Sequence, residues 1–315
     1  MTLKLIRVGI VGTGFMANAV HLPTLISLES VKIVALCDSY KKNLLRTANK
    51  YPARNIYSDH EEMLKKEKLD CVFCLTDPKT HAEIVKDCLE DGVNVFCEKP
   101  LAWTIQEDKE IIRTSEKSGH WVQVGYNRRF TPVYRKAKSV FRTRKVASCV
   151  AEKTYEICSP PQYFLRIGLI HAIDILNWFC GEALQVQLDA FKVDSDKLRT
   201  VSVLVRYEAG AIALLMGDHS GGAWMEKLEV YGDGCTVLVE APFRVSICSK
   251  GKREMYEPSA TYYYPWQKLF GYQGEDEYFI NCLRKDTPPS PSAKDDLKTL
   301  LFINEMRKKL GLEPL

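Results

Sequence analysis

The chain has no apolar run long enough to cross a membrane, no long block of like charge and no internal repeat. A spanning helix needs about 20 consecutive apolar residues, so the first absence argues against a membrane protein. The second disfavours nucleic-acid or membrane-surface partners. Formal net charge is only +4, and the basic residues are spread out apart from Arg128-Arg129 and the stretch Arg135 to Lys145. No Cys/His cluster has the spacing of a zinc site, and nothing resembles the nucleophilic machinery of an ordinary hydrolase. The 11 cysteines are odd in number and mostly sit inside apolar, strand-like runs. They read as small buried hydrophobes in a reducing cytoplasm, not as a disulfide framework. Cys71-Val72-Phe73-Cys74 has a CxxC spacing, but residues three apart on a strand face opposite ways, so those sulfurs do not converge on one metal. No metal is expected. Lys4 and Arg7 precede an apolar stretch running to Val20, as in a secretory leader, yet Gly9, Gly12 and Gly14 interrupt it.

What is present is a regular alternation. At 315 residues, 46% apolar and 27% charged, the chain is long enough for two domains with their own cores. Ile6–Val11 reads as a buried strand, and Gly12-Thr13-Gly14-Phe15-Met16-Ala17 then fits the G-x-G-x-x-G/A turn of dinucleotide-binding folds. The first glycine permits the tight turn, the second lets backbone approach a pyrophosphate, and Ala17 allows close helix–strand packing. Val31–Cys37 is a second strand with Asp38 at its end. An acid there accepts hydrogen bonds from adenosine ribose hydroxyls, which favours NAD; as a residue type it equally suits a turn or a helix cap, and Lys41 and Lys42 leave NADP open. Leu69–Leu75 is a strand and Ala82–Asp91 a helix. Val93–Cys97 is a strand, Ile105–Ser118 a helix and Trp121–Gly125 a strand. This is the pattern of a doubly wound parallel sheet.

After Asn127 the texture changes. Strand candidates follow one another at Val146–Tyr155, Leu184–Val193, Val201–Tyr207, Ala211–Met216, Leu228–Tyr231, Thr236–Val239 and Arg244–Cys248. Turn signals such as Glu208-Ala209-Gly210 and Tyr231-Gly232-Asp233-Gly234 join several of them. Helices are expected near Ile170–Phe179, Glu275–Arg284 and Ala293–Leu310. The expected fold is therefore α/β: a Rossmann domain over 1–124, then a domain over 125–315 with a large, mostly antiparallel open sheet.

Glu98-Lys99-Pro100 follows the strand Val93–Cys97. Ligands of such sheets collect at the carboxyl ends of the strands, so Lys99 falls where an ammonium group acts on a reacting oxygen. His171 and Asp174, three residues apart on a helix, share a face. His171 is the candidate general acid/base, and Asp174 suits either a substrate hydroxyl or the orientation of the imidazole. A buried histidine in a helix–sheet interface is the plainer alternative.

With these motifs in order, the chain resembles the Gfo/Idh/MocA oxidoreductases, the family of glucose–fructose oxidoreductase and inositol dehydrogenase. The likeness rests on the Gly9–Ala17 turn, Thr76–His81, Glu98-Lys99-Pro100, Gly125-Tyr126-Asn127-Arg128-Arg129-Phe130 and His171-Ala172-Ile173-Asp174. It implies hydride transfer between a nicotinamide, NAD or NADP, and a secondary carbinol or ketone of a sugar, cyclitol or sugar derivative. It also implies a homodimer or homotetramer. Lys99 and His171 would be catalytic, and Asp174, Arg128, Tyr126 and Tyr163 would bind substrate. Gly12, Gly14, Phe15, Met16, Asp38, Thr76, Pro78, His81, Glu98, Lys99 and Asn127 would hold the cofactor. Tyr155, Tyr163, Tyr262-Tyr263-Tyr264 and Trp266 would make either a sugar-stacking wall or part of a core or subunit interface. His219, between Gly217 and Gly221, reads as a loop histidine, and His21 has no assigned catalytic role.

One position departs from the family. Many members carry an acid four residues before the histidine, in D-x-G-x-H-x-x-D; here it is Ile167, with the glycine at Gly168. The usual Gly-rich approach is replaced by Ser159-Pro160-Pro161-Gln162-Tyr163-Phe164. A hydrocarbon in place of a carboxylate shifts the electrostatics of Lys99 and His171. Two further readings stay open on that ground: a cofactor-binding sensor or partner protein without catalysis, and an NAD-assisted glycosidase or epimerase.

Overall fold

The computed structural model describes residues 5–51, 53, 55–155, 160, 163–194, 197–259, 261 and 264–315. Ser159, Pro161, Gln162, Tyr262 and Tyr263 lie outside the described residues. The chain forms two compact units, Met1–Tyr126 with Tyr272–Leu297, and Asn127–Gly271 with Lys298–Leu315. The chain thus crosses from one unit to the other two residues beyond the expected 124/125 division, and Tyr272–Leu297 returns to the first.

The first unit is built on six parallel strands: β1 (Ile6–Val11), β2 (Val31–Cys37), β3 (Asn55–Tyr57), β4 (Cys71–Cys74), β5 (Asn94–Glu98) and β6 (Val122–Gly125). Their order is β3-β2-β1-β4-β5-β6, the doubly wound arrangement whose order reverses between β1 and β4. Strands β1, β4 and β5 are almost wholly buried, as expected where helices cover both faces of a parallel sheet. Helices α1 (Leu22–Ser27), α2 (Lys41–Lys50), α3 (His60–Lys66), α4 (Pro78–Glu90) and α5 (Ile105–Ser118) supply that cover. Helix α4 begins one turn before the expected Ala82, because Asp77 caps it and Pro78 occupies the first turn. The core stacks Phe73 on Phe96 at 4.7 Å, with Phe279 edge-on to Phe73 at 5.7 Å. Phe279 belongs to a later helix, Tyr272–Lys285, so the returning segment closes this core.

The second unit holds eight strands: β7 (Ser148–Thr154), β8 (Ala183–Asp194), β9 (Lys197–Tyr207), β10 (Ile212–Asp218), β11 (Met225–Gly232), β12 (Cys235–Glu240), β13 (Arg244–Ser249) and β14 (Lys252–Tyr256). Their order is β14-β13-β12-β11-β7-β10-β9-β8, and only the β7–β10 pairing is parallel. Helix α6 (Pro132–Val140), absent from the sequence expectations, is capped by Thr131 with Pro132 in its first turn. Helix α7 (Ile170–Cys180) carries His171. It lies against β7 and β10. Gly217 makes that approach possible, since a Cβ there would sit 2.7 Å from Leu169 and 3.0 Å from Phe164. No described helix is long and apolar enough to cross a membrane, and the ten described cysteines are all free.

Candidate active site

The ends of β1, β2 and β4 open on a cavity of about 670 Å³ in the first unit. Its wall includes Gly12, Gly14, Asp38 and Thr76. Gly12 has φ +92°, and a Cβ there would lie 2.6 Å from the Leu75 carbonyl group. Backbone crosses backbone at that point, and only glycine fits. At Gly14 an added Cβ would meet nothing within 4 Å. The turn is therefore tight on its inner side and open on the side where a pyrophosphate belongs. Asp38 accepts hydrogen bonds from Thr13 N at 2.7 Å, Thr13 Oγ1 at 2.8 Å and Tyr40 N at 2.8 Å. An ionised carboxylate offers about four lone-pair sites, so Asp38 both ties the turn to β2 and keeps capacity for a ribose hydroxyl. The residues present fit a dinucleotide on the turn, the open Gly14 face and the carboxylate. Asp59, Glu61, Asp77 and Glu83 also line the cavity, whereas no lysine or arginine does among the described residues.

The other expected cofactor residues are placed differently. Phe15 is 76% exposed, and neither it, Met16 nor Pro78 belongs to the cavity wall. His81 is wholly buried, its ring nitrogens 2.8 Å from Pro100 O and 3.1 Å from Thr76 O. It braces the loops after β4 and β5. Asn127, first residue of the second unit, is buried and donates to Phe270 O at 2.9 Å.

Glu98 is buried and is not part of the cavity wall. Its Oε2 accepts from Lys99 N at 3.1 Å, and its Oε1 lies 3.2 Å from His21 Nε2. The other nitrogen of His21 lies 2.9 Å from Asp276 Oδ1. His21 ends a π-helical turn, Ala17–His21, that opens the helix after the glycine turn; such turns recur at functional sites. Burial alone would push the imidazole down, but Asp276 and then Glu98 outweigh it and raise the pKa to about 10. Glu98, although buried, is held below its ordinary value by His21 and by Lys99. Burial pushes Asp276 up, and the Glu98 charge adds to it. An imidazolium thus sits between two carboxylates, one of which fixes the backbone of partly buried Lys99. Lys99-Pro100 is a cis peptide.

In the second unit, His171 stands in the first turn of α7, buried at 7% exposure. A π-helical turn, Phe164–Gly168, precedes it and carries partly exposed Ile167. Asp174 has no exposed surface and receives Arg129 in a two-pronged ion pair, Nε to Oδ2 at 2.9 Å and NH2 to Oδ1 at 2.6 Å. Its carboxylate is thus committed to Arg129 and has no surface for a substrate; it anchors the helix bearing His171. Tyr126 is likewise fully buried, its hydroxyl 2.5 Å from Asp296 within the first unit, which leaves it nothing to offer a substrate. Tyr163 is 46% exposed, just before the π-helical turn.

Arg128 enters a buried network. Its Nε lies 3.0 and 3.1 Å from the two Glu226 oxygens, which also accept from Lys153 Nζ at 2.6 Å and Tyr134 OH at 3.0 Å. Burial opposes ionisation of Glu226, but Arg128 and Lys153 outweigh it and hold the carboxyl near 2. Burial pushes Lys153 down. The guanidinium stands over Trp224 and Phe270 at 5.9 and 5.6 Å. Sequence reading missed Glu226 and Lys153, which share no spacing signal with Arg128. His219 lies in the bend after β10, as a loop histidine should, but is buried at 6% exposure, with its ring 4.0 Å from Phe164 and 5.2 Å from Tyr155.

A parallel sheet in the 3-2-1-4-5-6 order, with a glycine turn and an acid at the second strand's end, defines an NAD-binding Rossmann protein. Residues 6–126 match the Gfo/Idh/MocA oxidoreductase family, NAD-binding Rossmann fold. Those residues carry that family's NAD-binding Rossmann domain. It is 22% identical to myo-inositol 2-dehydrogenase of Thermotoga maritima, over 96% of each chain. It is 24% identical to D-apiose dehydrogenase of Paraburkholderia graminis, over 96% of this chain and 87% of the other. The crystal structure of a dehydrogenase from Chromobacterium violaceum superposes with a TM-score of 0.88 at 23% identity, covering 98% of this chain and 96% of that one.

Proposed function

We propose that the protein is an NAD-dependent dehydrogenase that interconverts a secondary carbinol and a ketone on a sugar, a cyclitol or a sugar derivative. The observation that carries this reading is the cavity formed by Gly12, Gly14 and Asp38, with Lys99 fixed at the end of a strand of the same sheet. NAD, when bound, accepts the hydride. The carbinol loses its C–H bond to that hydride transfer and its O–H proton to His171, leaving a carbonyl. The Lys99 ammonium stabilises the oxygen as negative charge develops on it. NAD is favoured over NADP because a 2′-phosphate would meet carboxylates, and neither Lys41 nor Lys42 lines the cavity. Relatives named for inositol and apiose support a polyhydroxylated substrate. The reading includes a cytoplasmic location and self-association through the sheet of the second unit.

The test is a panel of cyclitols, aldoses and keto-sugars with NAD or its reduced form, followed by nicotinamide absorbance. Lys99→Ala should lower kcat by about 10²–10⁴-fold while NAD affinity stays within a few-fold. His171→Asn should lower kcat similarly. A chain that binds no NAD in calorimetry sinks the proposal.

A further inference from the structure

Adjacent strands bring together three ligand-type residues that are far apart in sequence. Cys74 ends β4 and Cys97 lies in β5, and the two are in-register partners, so their side chains leave the same face of the sheet. His81 follows in the first turn of α4. The two sulfurs and a ring nitrogen all lie within 4.8 Å of one another, and the three residues have no exposed surface. A tetrahedral zinc site, with Zn–S near 2.3 Å and Zn–N near 2.0–2.1 Å, places such atoms about 3.5–3.8 Å apart. Closing this set around an ion therefore takes movements of about 1 Å or less.

The imidazole carries a second observation. Both of its nitrogens face carbonyl oxygens, Pro100 O at 2.8 Å and Thr76 O at 3.1 Å. A neutral ring has one N–H, so one of these contacts sets lone pair against lone pair. A cation takes up that nitrogen's lone pair once the facing carbonyl turns aside, and the remaining N–H donates to the opposite carbonyl. That is the outer contact that fixes the tautomer of a metal-bound histidine. The Thr76 hydroxyl lies 3.7 Å from Cys74 Sγ, and Thr76 also lines the cavity.

We propose that Cys74, Cys97 and His81 bind a thiophilic divalent cation of the zinc class, with the Thr76 hydroxyl or a water as fourth ligand. Two sulfurs and an imidazole select zinc or cobalt over magnesium or calcium. The ion joins β4, β5 and α4 beneath the cavity and is independent of the catalytic reading.

The test uses the full chain, reduced and stripped with chelator, then titrated with Co²⁺. A single equivalent should give sulfur-to-cobalt charge-transfer bands and the visible bands of a tetrahedral site. Zn²⁺ should displace it and raise the melting temperature. Cys74→Ser/Cys97→Ser and, separately, His81→Gln should each lose the bands; Cys97→Ala, a small-for-small change, covers failure of the others to fold. A proton alone on His81 would relieve the carbonyl contact with no cobalt spectrum, which overturns the proposal. Bands of equal intensity in the cysteine variants also overturn it.

Discussion

His21 carries a charge where water cannot reach it, between Glu98 and Asp276. Removing one member of such a buried set leaves the others unpaired, at a cost of about 3–5 kcal/mol. His21→Gln should therefore destabilise the protein by about that amount at neutral pH. The pH dependence has a definite sign. The folded-state pKa, about 10, lies above the ordinary 6.5, so the stabilisation is full below 6.5 and declines as pH rises through about 10. Urea denaturation of wild type and variant across that range should show the gap narrowing steadily; a gap independent of pH would show that His21 is not an imidazolium. At this scale the sequence was legible where chemistry is local and opaque where it is not. Gly12, Gly14 and Asp38 announce themselves through a turn and a strand end. Nothing near His21 signals Asp276, and nothing near Arg128 signals Glu226, because each pairing forms only when distant elements fold together.

Strands and helices position these groups through close approaches that a single methyl group tests. Gly12→Ala places a carbon 2.6 Å from the Leu75 carbonyl at φ +92°, combining backbone strain with overpacking, for about 2–5 kcal/mol lost. Gly14→Ala meets open space, so its stability should stay within about 0.5 kcal/mol of wild type. Its NAD affinity should nonetheless fall at least about tenfold, roughly 1.4 kcal/mol, because the methyl group occupies the pyrophosphate face. Thermal melts and calorimetric NAD titrations of the two variants separate the roles. Equal affinities for wild type and Gly14→Ala would place the phosphates elsewhere. Element boundaries were legible for the same reason these glycines were. Ile105–Ser118 matches its expected span, since helical periodicity and caps are written locally. Helix α6 was missed although Thr131-Pro132 is an N-terminal signal.

Whole-molecule behaviour turns on the uncovered face of the eight-stranded sheet. Strands β9 and β10 alternate buried and exposed positions, and the exposed set includes Leu204 at 40% and directly opposite Leu214 at 50%. Ile212 on the same face of β10 is 43% exposed, as is Phe191 on β8 at 61%. Apolar side chains clustered on one exposed sheet face mark a surface for association, and the proposed self-association would place a second copy of the chain there by two-fold symmetry. The sequence pointed to self-association through an exposed antiparallel sheet face and through family likeness; the alternation in β9 and β10 names the residues of such a face. The test must break the dimer without unfolding the subunit. Two glutamates at Leu204 and Leu214 would repel each other across the ladder even in a monomer. Leu204→Glu with Leu214→Lys instead makes an opposite-charge pair that the isolated subunit accommodates in water. In a dimer, both charges would lose solvent against apolar neighbours, costing several kcal/mol per ion. Sedimentation velocity at micromolar concentration should show wild type as a dimer or larger and the double variant as a monomer with unchanged circular dichroism. A wild-type monomer, or a variant that still dimerises, would assign this face another role.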